Sequence, residues 1–374
     1  MPFLVQVGHE RFYLPELIAN GDLEGIILQV AHAGLPGVEG LARQGAMVLV
    51  DPQTYKLADA NVRITKKMGS ERFVALWPRN SGLRNNARRA SFVEATVERE
   101  LEMGATDVIS PYLFVEDLAG PALEVTLQMA EESRALVGKS KRVWAGLYVA
   151  GTELKRQQHR DQFLNSLTAS SIDHCYLIVD PEQGGSGPLA DDDLIRALRH
   201  VVRVLETNDI RVMLGYSDPV GLLLMGDGLS AFASGVTASL RRLQIASQRA
   251  GSHPRRPAHP RYYLPQLMNF VRVDNEMRPA LARLSRAGRA VCGCKYCSGN
   301  LRPGTQFDSA DACRHFVAHL TDDARSLSNS TNRRAHVLRL INEAAGAYDL
   351  LDQAGITFSG DSGPDHIESW SRVF

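Results

Sequence analysis

The chain reads as an α/β protein, a (β/α)8 barrel of the TIM type followed by a C-terminal helical subdomain built on a metal. Two observations predict the barrel. From residue 24 to about residue 240, short runs rich in Val, Ile, Leu and aromatics alternate with segments of helical periodicity, the pattern of a parallel sheet with crossover helices. Eight such runs can be counted, the number that a closed barrel needs. A third observation predicts the subdomain: Cys292, Cys294 and Cys297 fall within six residues near the C-terminal end.

In order, the strands are expected at residues 25–31, 46–50, 73–77, 107–113, 143–149, 175–179, 211–215 and, more weakly, 235–240. Helical spacing marks residues 90–103, 117–136, 153–169 and 191–207, the last opening on an acidic run suited to the positive end of a helix dipole. Tyr176, Leu177, Ile178 and Val179 form a near-continuous apolar strand, as expected where both faces are buried. An open doubly wound sheet is the alternative. Gly184, Gly185 and Gly187 do not follow an early strand and do not match a dinucleotide-binding fingerprint, so a βα turn accounts for them. A change to Pro, His and Arg after Gly251 marks a connector. The expected division is 1–250 for the barrel, 251–289 for connector and helix, and 290–374 for the cysteine subdomain with the C-terminal helices.

Composition limits the classes of function. The 374 residues carry 42 Lys plus Arg against 42 Asp plus Glu, so any surface for nucleic acid must be local. With 44% apolar and 22% charged residues the chain is an ordinary folded mixture. No apolar run reaches the ~18 residues of a membrane span, and the first twenty residues have no leader pattern. A cytoplasmic protein with no membrane partner is expected.

Five cysteines, three of them crowded together, do not form a secreted disulfide framework and read as a metal site in a reducing compartment. A structural tetrahedral zinc needs one ligand beyond Cys292, Cys294 and Cys297, and Cys313, His315, His319 and His336 are the downstream candidates. His336 would project from a regular helix, since Val337, Leu338, Leu340 and Ile341 give residues 331–344 helical spacing. Four protein ligands would leave no place for water, so the zinc is structural.

Asp51, Asp180 and Asp218 sit at or just past the C-terminal ends of expected strands, the face where barrel active sites assemble. Each is followed by Pro, so a turn or cap is the competing account. Asp51 and Asp180 are the candidate catalytic pair, one as nucleophile or cation stabiliser and the other as proton shuttle. His32 ends the first expected strand and is a candidate substrate contact. Arg283, Arg286 and Arg289, just before the cysteine turn, form a candidate surface for phosphate, because a guanidinium binds two oxygens at once.

The C-x-C-x-x-C turn with a helical His beyond it resembles the zinc subdomain of tRNA-guanine transglycosylases and their DNA-modifying deazaguanine relatives. Arg314-His315-Phe316-Val317-Ala318-His319-Leu320 looks like the family's Arg-aromatic-His-Leu helix, which brings His336 to within one residue of the family's zinc histidine. Val48-Leu49-Val50-Asp51 ends as does the family's strand, which implies an acid/base role for Asp51. Residues 145–151 resemble the base-recognition strand, implying substrate contacts from Tyr148 and Gly151, although Ala150 stands where the family has glutamine; Asp218, by its place at a strand end, is a further candidate substrate contact. The family's nucleophile aspartate has no counterpart in Gly235-Val236-Thr237-Ala238-Ser239-Leu240, where Leu240 takes its place. The resemblance implies base exchange on a (deaza)guanine in tRNA or DNA, and a homodimer or heterodimer through the zinc region. Two other readings stay open: a non-catalytic nucleic-acid-binding partner of an active transglycosylase, and a barrel hydrolase acting on a small molecule.

Overall fold

The computed structural model describes residues 2–8, 12–32, 41–42, 45–182, 187–249, 259–289, 292–297 and 307–374. The glycines at 184 and 185 and the connector at 251–258 lie outside them, so the expected domain boundary does too.

The barrel begins earlier than its sequence pattern announces. Strand β1 (Phe3–Val7) is followed by helix α1 (Leu14–Ala19), β2 (Gly25–Gln29), β3 (Met47–Asp51), the short helix α2 (Tyr55–Ala58) and the long helix α3 (Asn86–Glu102). Two short pieces, β4 (Val108–Ile109) and β5 (Phe114–Val115), make one broken strand, since both pair with β6 (Val143–Ala150). After β6 come α4 (Gly151–Lys155), α5 (Gln157–Thr168), β7 (His174–Asp180), α6 (Asp192–Thr207), β8 (Arg211–Leu214), α7 (Val220–Leu224), β9 (Ala231–Ser234) and the short α8 (Ala238–Arg241). All these strands pair in parallel, and β1 joins the two ends of the chain order by pairing with β2 on one side and β9 on the other. Counting β4 and β5 as one, the sheet is a near-closed barrel of eight strands, as expected.

Three expected elements are corrected. Residues 73–77 do not form a strand; Arg72–Ala75 is a turn of helix, and an apolar run of five fits either state. The last strand is Ala231–Ser234 rather than 235–240, because the chain turns at Gly235, where an added Cβ would stand 2.3 Å from that of Leu240. The strand Phe3–Val7 takes the place left in the count.

The seam between β3 and β4 is closed by side chains. Thr106 donates its N–H to the Val48 carbonyl at 2.8 Å, while its hydroxyl accepts from the Val48 N–H at 3.0 Å and lies 3.1 Å from the Val48 carbonyl. Near the other end, the Thr54 hydroxyl donates to the Tyr112 carbonyl and accepts the Tyr112 N–H, both at 2.7 Å. Buried Glu100 of α3 accepts the Ile109 N–H at 3.0 Å. Each side chain satisfies a backbone group that an adjacent strand would otherwise take.

Side chains alternate between the two faces of every strand. Leu4, Ile27, Leu49, Tyr148, Tyr176, Ile178, Met213 and Ala233 belong to the cluster that fills the barrel, and the residues between them pack under the helices. Gly146 and Gly215 leave room for rings from neighbouring segments: an added Cβ would lie 2.4 Å from Tyr112 at the first and 2.4 Å from Tyr176 at the second.

The hairpin β10 (Arg261–Leu264) and β11 (Asn269–Arg272) follows the barrel, then the helices α9 (Arg278–Arg286), α10 (Ser309–Ser328), α11 (Arg333–Asp352) and α12 (Asp365–Val373). The last helix docks on the barrel, where the Trp370 indole donates to the Leu189 carbonyl at 2.9 Å and Arg372 pairs with Asp192. Among the described residues no helix is long and apolar enough to cross a membrane.

Candidate functional site

Asp51, Asp180 and Asp218 all make the turn that their Pro neighbours suggested. One carboxylate oxygen of each accepts a backbone N–H two residues on, from Gln53 at 3.0 Å, Glu182 at 2.9 Å and Val220 at 2.9 Å. The turn is only half of their chemistry. Gln53, Glu182 and Tyr216, each two residues past the end of a barrel strand, have φ of 51, 57 and 49°. Such left-handed backbone costs on the order of 1 kcal/mol for a residue with a side chain and gathers where surrounding structure demands it.

Around Asp51 that demand is visible. Asp51 follows Leu49 on the inner face and is fully buried. The Tyr112 hydroxyl donates to one of its oxygens at 2.7 Å and the Tyr216 hydroxyl to the other at 2.8 Å. The Tyr216 oxygen accepts amide protons from Gln29 and Gln53, each at 3.1 Å. Lys56, only 8% exposed, donates to the Gln53 side-chain oxygen at 2.8 Å. Two strained residues, Gln53 and Tyr216, therefore meet side chain to side chain, and both hydrogen-bond one carboxylate, Gln53 through its backbone N–H and Tyr216 through its hydroxyl. Burial raises the Asp51 pKa despite the hydrogen bonds that oppose the rise. Burial also brings Lys56 down to about 8, against the pull of Asp51. The network draws on Gln29 of β2, Asp51 of β3 and the loops after three strands, so no contiguous motif announces it.

Asp180 is buried on the same inner face of β7. Its second oxygen accepts the Tyr148 hydroxyl at 3.0 Å and the Ile245 N–H at 2.7 Å. Burial drives the Tyr55 pKa well up, and the negative charges of Asp51 and Asp180 add to the rise. The Tyr55 ring also lines a cleft of about 650 Å³ with Asn80, Arg84, Phe114, Glu116 and Arg249. The expected pair of carboxylates therefore shares one end of the barrel. Leu240, Leu243 and Ile245 are buried with the barrel tyrosines at this end.

The other sequence candidates divide. Tyr148 is a partner of Asp180, and Gly151 is needed because an added Cβ would lie 2.6 Å from the Asp180 carbonyl oxygen. Asp218 accepts the Leu189 N–H at 2.5 Å and pairs with Arg242 at 3.1 Å. His32 ends a short turn after β2, and its side chain lies outside the described residues. Arg283 and Arg286 belong to α9, where Arg286 is exposed and Arg283 half-buried; Arg289, just beyond, donates to the Glu343 carbonyl at 2.9 Å.

In the C-terminal part, Cys292, Cys294, Cys297 and His315 bring one ligand atom each to within 4.8 Å of one another. This Cys3His set can hold a metal ion and is compatible with zinc. The donor chemistry is prepared on both sides. His315 Nδ1 faces Cys294 Sγ at 3.3 Å and Cys292 Sγ at 3.6 Å, while its Nε2 donates to the Tyr263 carbonyl at 2.9 Å. That outer hydrogen bond fixes the tautomer which leaves Nδ1 free to ligate. The ring is also stacked on Tyr262, with centroids 4.6 Å apart. Hydrogen bonds from Cys292 and Cys297, helped by His315, pull the Cys294 thiol far below its ordinary range. His319, one helical turn on, places Nε2 2.8 Å from Cys292 Sγ.

His336 is corrected as the fourth ligand. It opens α11, stands 3.0 Å from Arg339, and lines with His319 a groove of about 1030 Å³. The spacing of apolar residues located its helix correctly but could not show that α10 lies over the cysteine turn first. A second group, Asp117, Glu153 and His159, also has close ligand atoms, but the Glu153 carboxylate is already occupied by Arg156 at 2.8 Å and His159 at 2.6 Å.

No family model and no curated protein matches the chain. Among solved structures it is similar to xylanase B from Clostridium stercorarium F9, at 9% sequence identity and a TM-score of 0.31, over 62% of this chain and 85% of that one. A likeness of that size says nothing about chemistry.

Proposed function

We propose that the chain is a zinc-containing protein of the tRNA-guanine transglycosylase type, acting at the glycosidic bond of a (deaza)guanine base in tRNA or DNA. The observation that carries this reading is the inner-face network on Asp51. A buried carboxylate with a raised pKa, held by two tyrosine hydroxyls at the end of a barrel strand, is suited to pass a proton to a departing base and take one from its replacement. Asp180 supplies the second carboxylate. Tyr55, which lies in the field of both carboxylates, also lines the cleft on that side, and the arginines before the cysteine turn give the polymer backbone a surface. The reading carries with it a cytoplasmic location and pairing of two chains through the zinc region.

A second reading, the non-catalytic partner of an active transglycosylase, is favoured by Leu240. It occupies the place of the family's nucleophile and is packed inside the barrel mouth with Leu243 and Ile245. Incorporation of labelled guanine into tRNA and into duplex DNA decides between the two. Exchange by the wild type that falls at least a hundredfold in Asp51→Asn supports the enzyme. Salt-dependent binding of either polymer with no exchange supports the partner. Neither exchange nor binding would remove both.

A further inference from the structure

Arg241 is a buried charge of the barrel mouth with no ion pair among the described residues. Its side chain is 5% exposed, and its hydrogen bonds go to two carbonyls, Val236 at 2.8 Å and Gly235 at 3.4 Å. Its guanidinium carbon lies 3.6 Å from the centre of the Phe270 ring, so one face is covered. The nearest acid, Asp218, is engaged by Arg242, by the Leu189 N–H and by the Val220 N–H. Among the described residues, no carboxylate is ion-paired with Arg241 itself. Burial lowers its pKa to about 9, which is what a cation out of water without a bonded anion does.

The two arginines border a cavity of about 40 Å³. That exceeds the roughly 10–15 Å³ that one water needs, measured the same way. Its walls are mixed. Leu189, Leu194, Leu198, Leu214 and Val220 make an apolar side, while Ser217, Asp218, Arg241 and Arg242 make a polar one. The cavity is built on the segments that follow β7, β8 and β9, across the mouth from the Tyr55 cleft on the segments after β3 and β5.

We infer that this cavity is a binding site for a small organic anion, a carboxylate with a short aliphatic body, whose head pairs with Arg241 and Arg242 and whose body lies against the leucines. A guanidinium fork matches a carboxylate with two parallel hydrogen bonds, and an anion here gives Arg241 the partner that the fold withholds. The apolar wall selects against inorganic phosphate, which has no surface to place on it. Tyr216 lines the cavity and also bonds Asp51, so an occupant touches a residue of the proposed site without using its chemistry. The inference stands whether or not the chain exchanges bases.

The test is titration calorimetry of the full-length protein with isovalerate and, separately, inorganic phosphate, at constant ionic strength in chloride. Isovalerate is expected to bind saturably with one site, and Arg241→Met to weaken it at least tenfold. Should Arg241→Met not fold, Arg241→Lys keeps the charge and loses the fork, and a weakening of about fivefold is expected. Absence of saturable isovalerate binding overturns the site, and so does equal affinity in the wild type and a folded Arg241 variant. Phosphate binding as tightly as isovalerate overturns the assignment of the apolar wall. Base-exchange activity enters none of these readouts, so their failure is separable from failure of the proposed function.

Discussion

The barrel mouth and the cysteine cluster solve the same problem, a set of polar groups kept out of water, in opposite ways. At the mouth, Asp51 is satisfied by Tyr112, Tyr216 and the Gln53 N–H, while the Gln53 side-chain oxygen accepts a hydrogen bond from Lys56. In the C-terminal part, three thiols and His315 converge with few outside partners, and the thiols crowd one another. The mouth is complete as a folded network; the cluster is a donor set that could hold a cation. Stability at the first should therefore depend on protons, and at the second on metal.

The largest effect should come from removing the metal. Zinc holds small structural sites with about 10–16 kcal/mol of apparent binding energy at neutral pH, comparable to a domain's whole margin of stability. Purified protein should contain one zinc per chain by elemental analysis. Cys294→Ser should abolish it and expose the segment around α10 to proteolysis, while the barrel keeps its far-ultraviolet dichroism. His315→Ala should reduce zinc content several-fold and His336→Ala should leave it unchanged; the reverse order would restore His336 and break the contrast drawn above.

At the mouth the expected change is smaller and of opposite sign. Lys56 is buried and its pKa falls from 10.5 to about 8, so the folded state binds fewer protons than the unfolded state between those values. Stability from this group is present above the unfolded pKa and is lost as the pH falls through about 8. At pH 7 the charged lysine is therefore a cost of roughly 3 kcal/mol, which Lys56→Met removes while leaving the Gln53 oxygen unpaired at about 1–3 kcal/mol, so a net stabilisation of about 1 kcal/mol is expected. The gain should shrink toward pH 10. Denaturant melts across pH 7–10 measure it, and a pH-independent difference would show that Lys56 keeps its ordinary pKa.

A comparable change belongs to the seam. Thr106→Val removes the hydroxyl that serves both Val48 backbone groups and keeps the shape. Leaving the Val48 N–H without a partner should cost about 1–3 kcal/mol, seen as a lower melting temperature and faster amide exchange at Val48. Unchanged exchange there would mean that water fills the place.

The fold was legible because it rests on periodicity. Alternating buried strands and amphipathic helices print themselves on the sequence, and six of the eight expected runs became strands. The two that did not, at 73–77 and 235–240, are short apolar runs whose state depends on what they meet: the packing of Phe73 against Phe92 in one case and Leu240 against Gly235 in the other. Asp51 and Asp180 were legible by position at strand ends. Their partners were not, because Gln29, Lys56, Tyr112 and Tyr216 are joined by the barrel's closure and by nothing in local spacing. The three cysteines were legible as a turn, whereas the choice of His315 over His336 depended on which face of α10 lies above it.

The seam has a consequence for how the mouth opens. A strand ladder fixes the distance between two strands through many peptide groups, but the β3–β4 seam is closed by one backbone hydrogen bond, from Thr106 to Val48, and by two hydroxyls, each on a single rotating bond. A hydroxyl can let go and re-form without breaking a ladder. Thr54 immediately precedes Tyr55, which walls the cleft and lies in the field of both carboxylates. The barrel thus has a clasp beside its own entrance, and releasing Thr54 from Tyr112 would widen the ring there while its seven other strand junctions keep their backbone pairing.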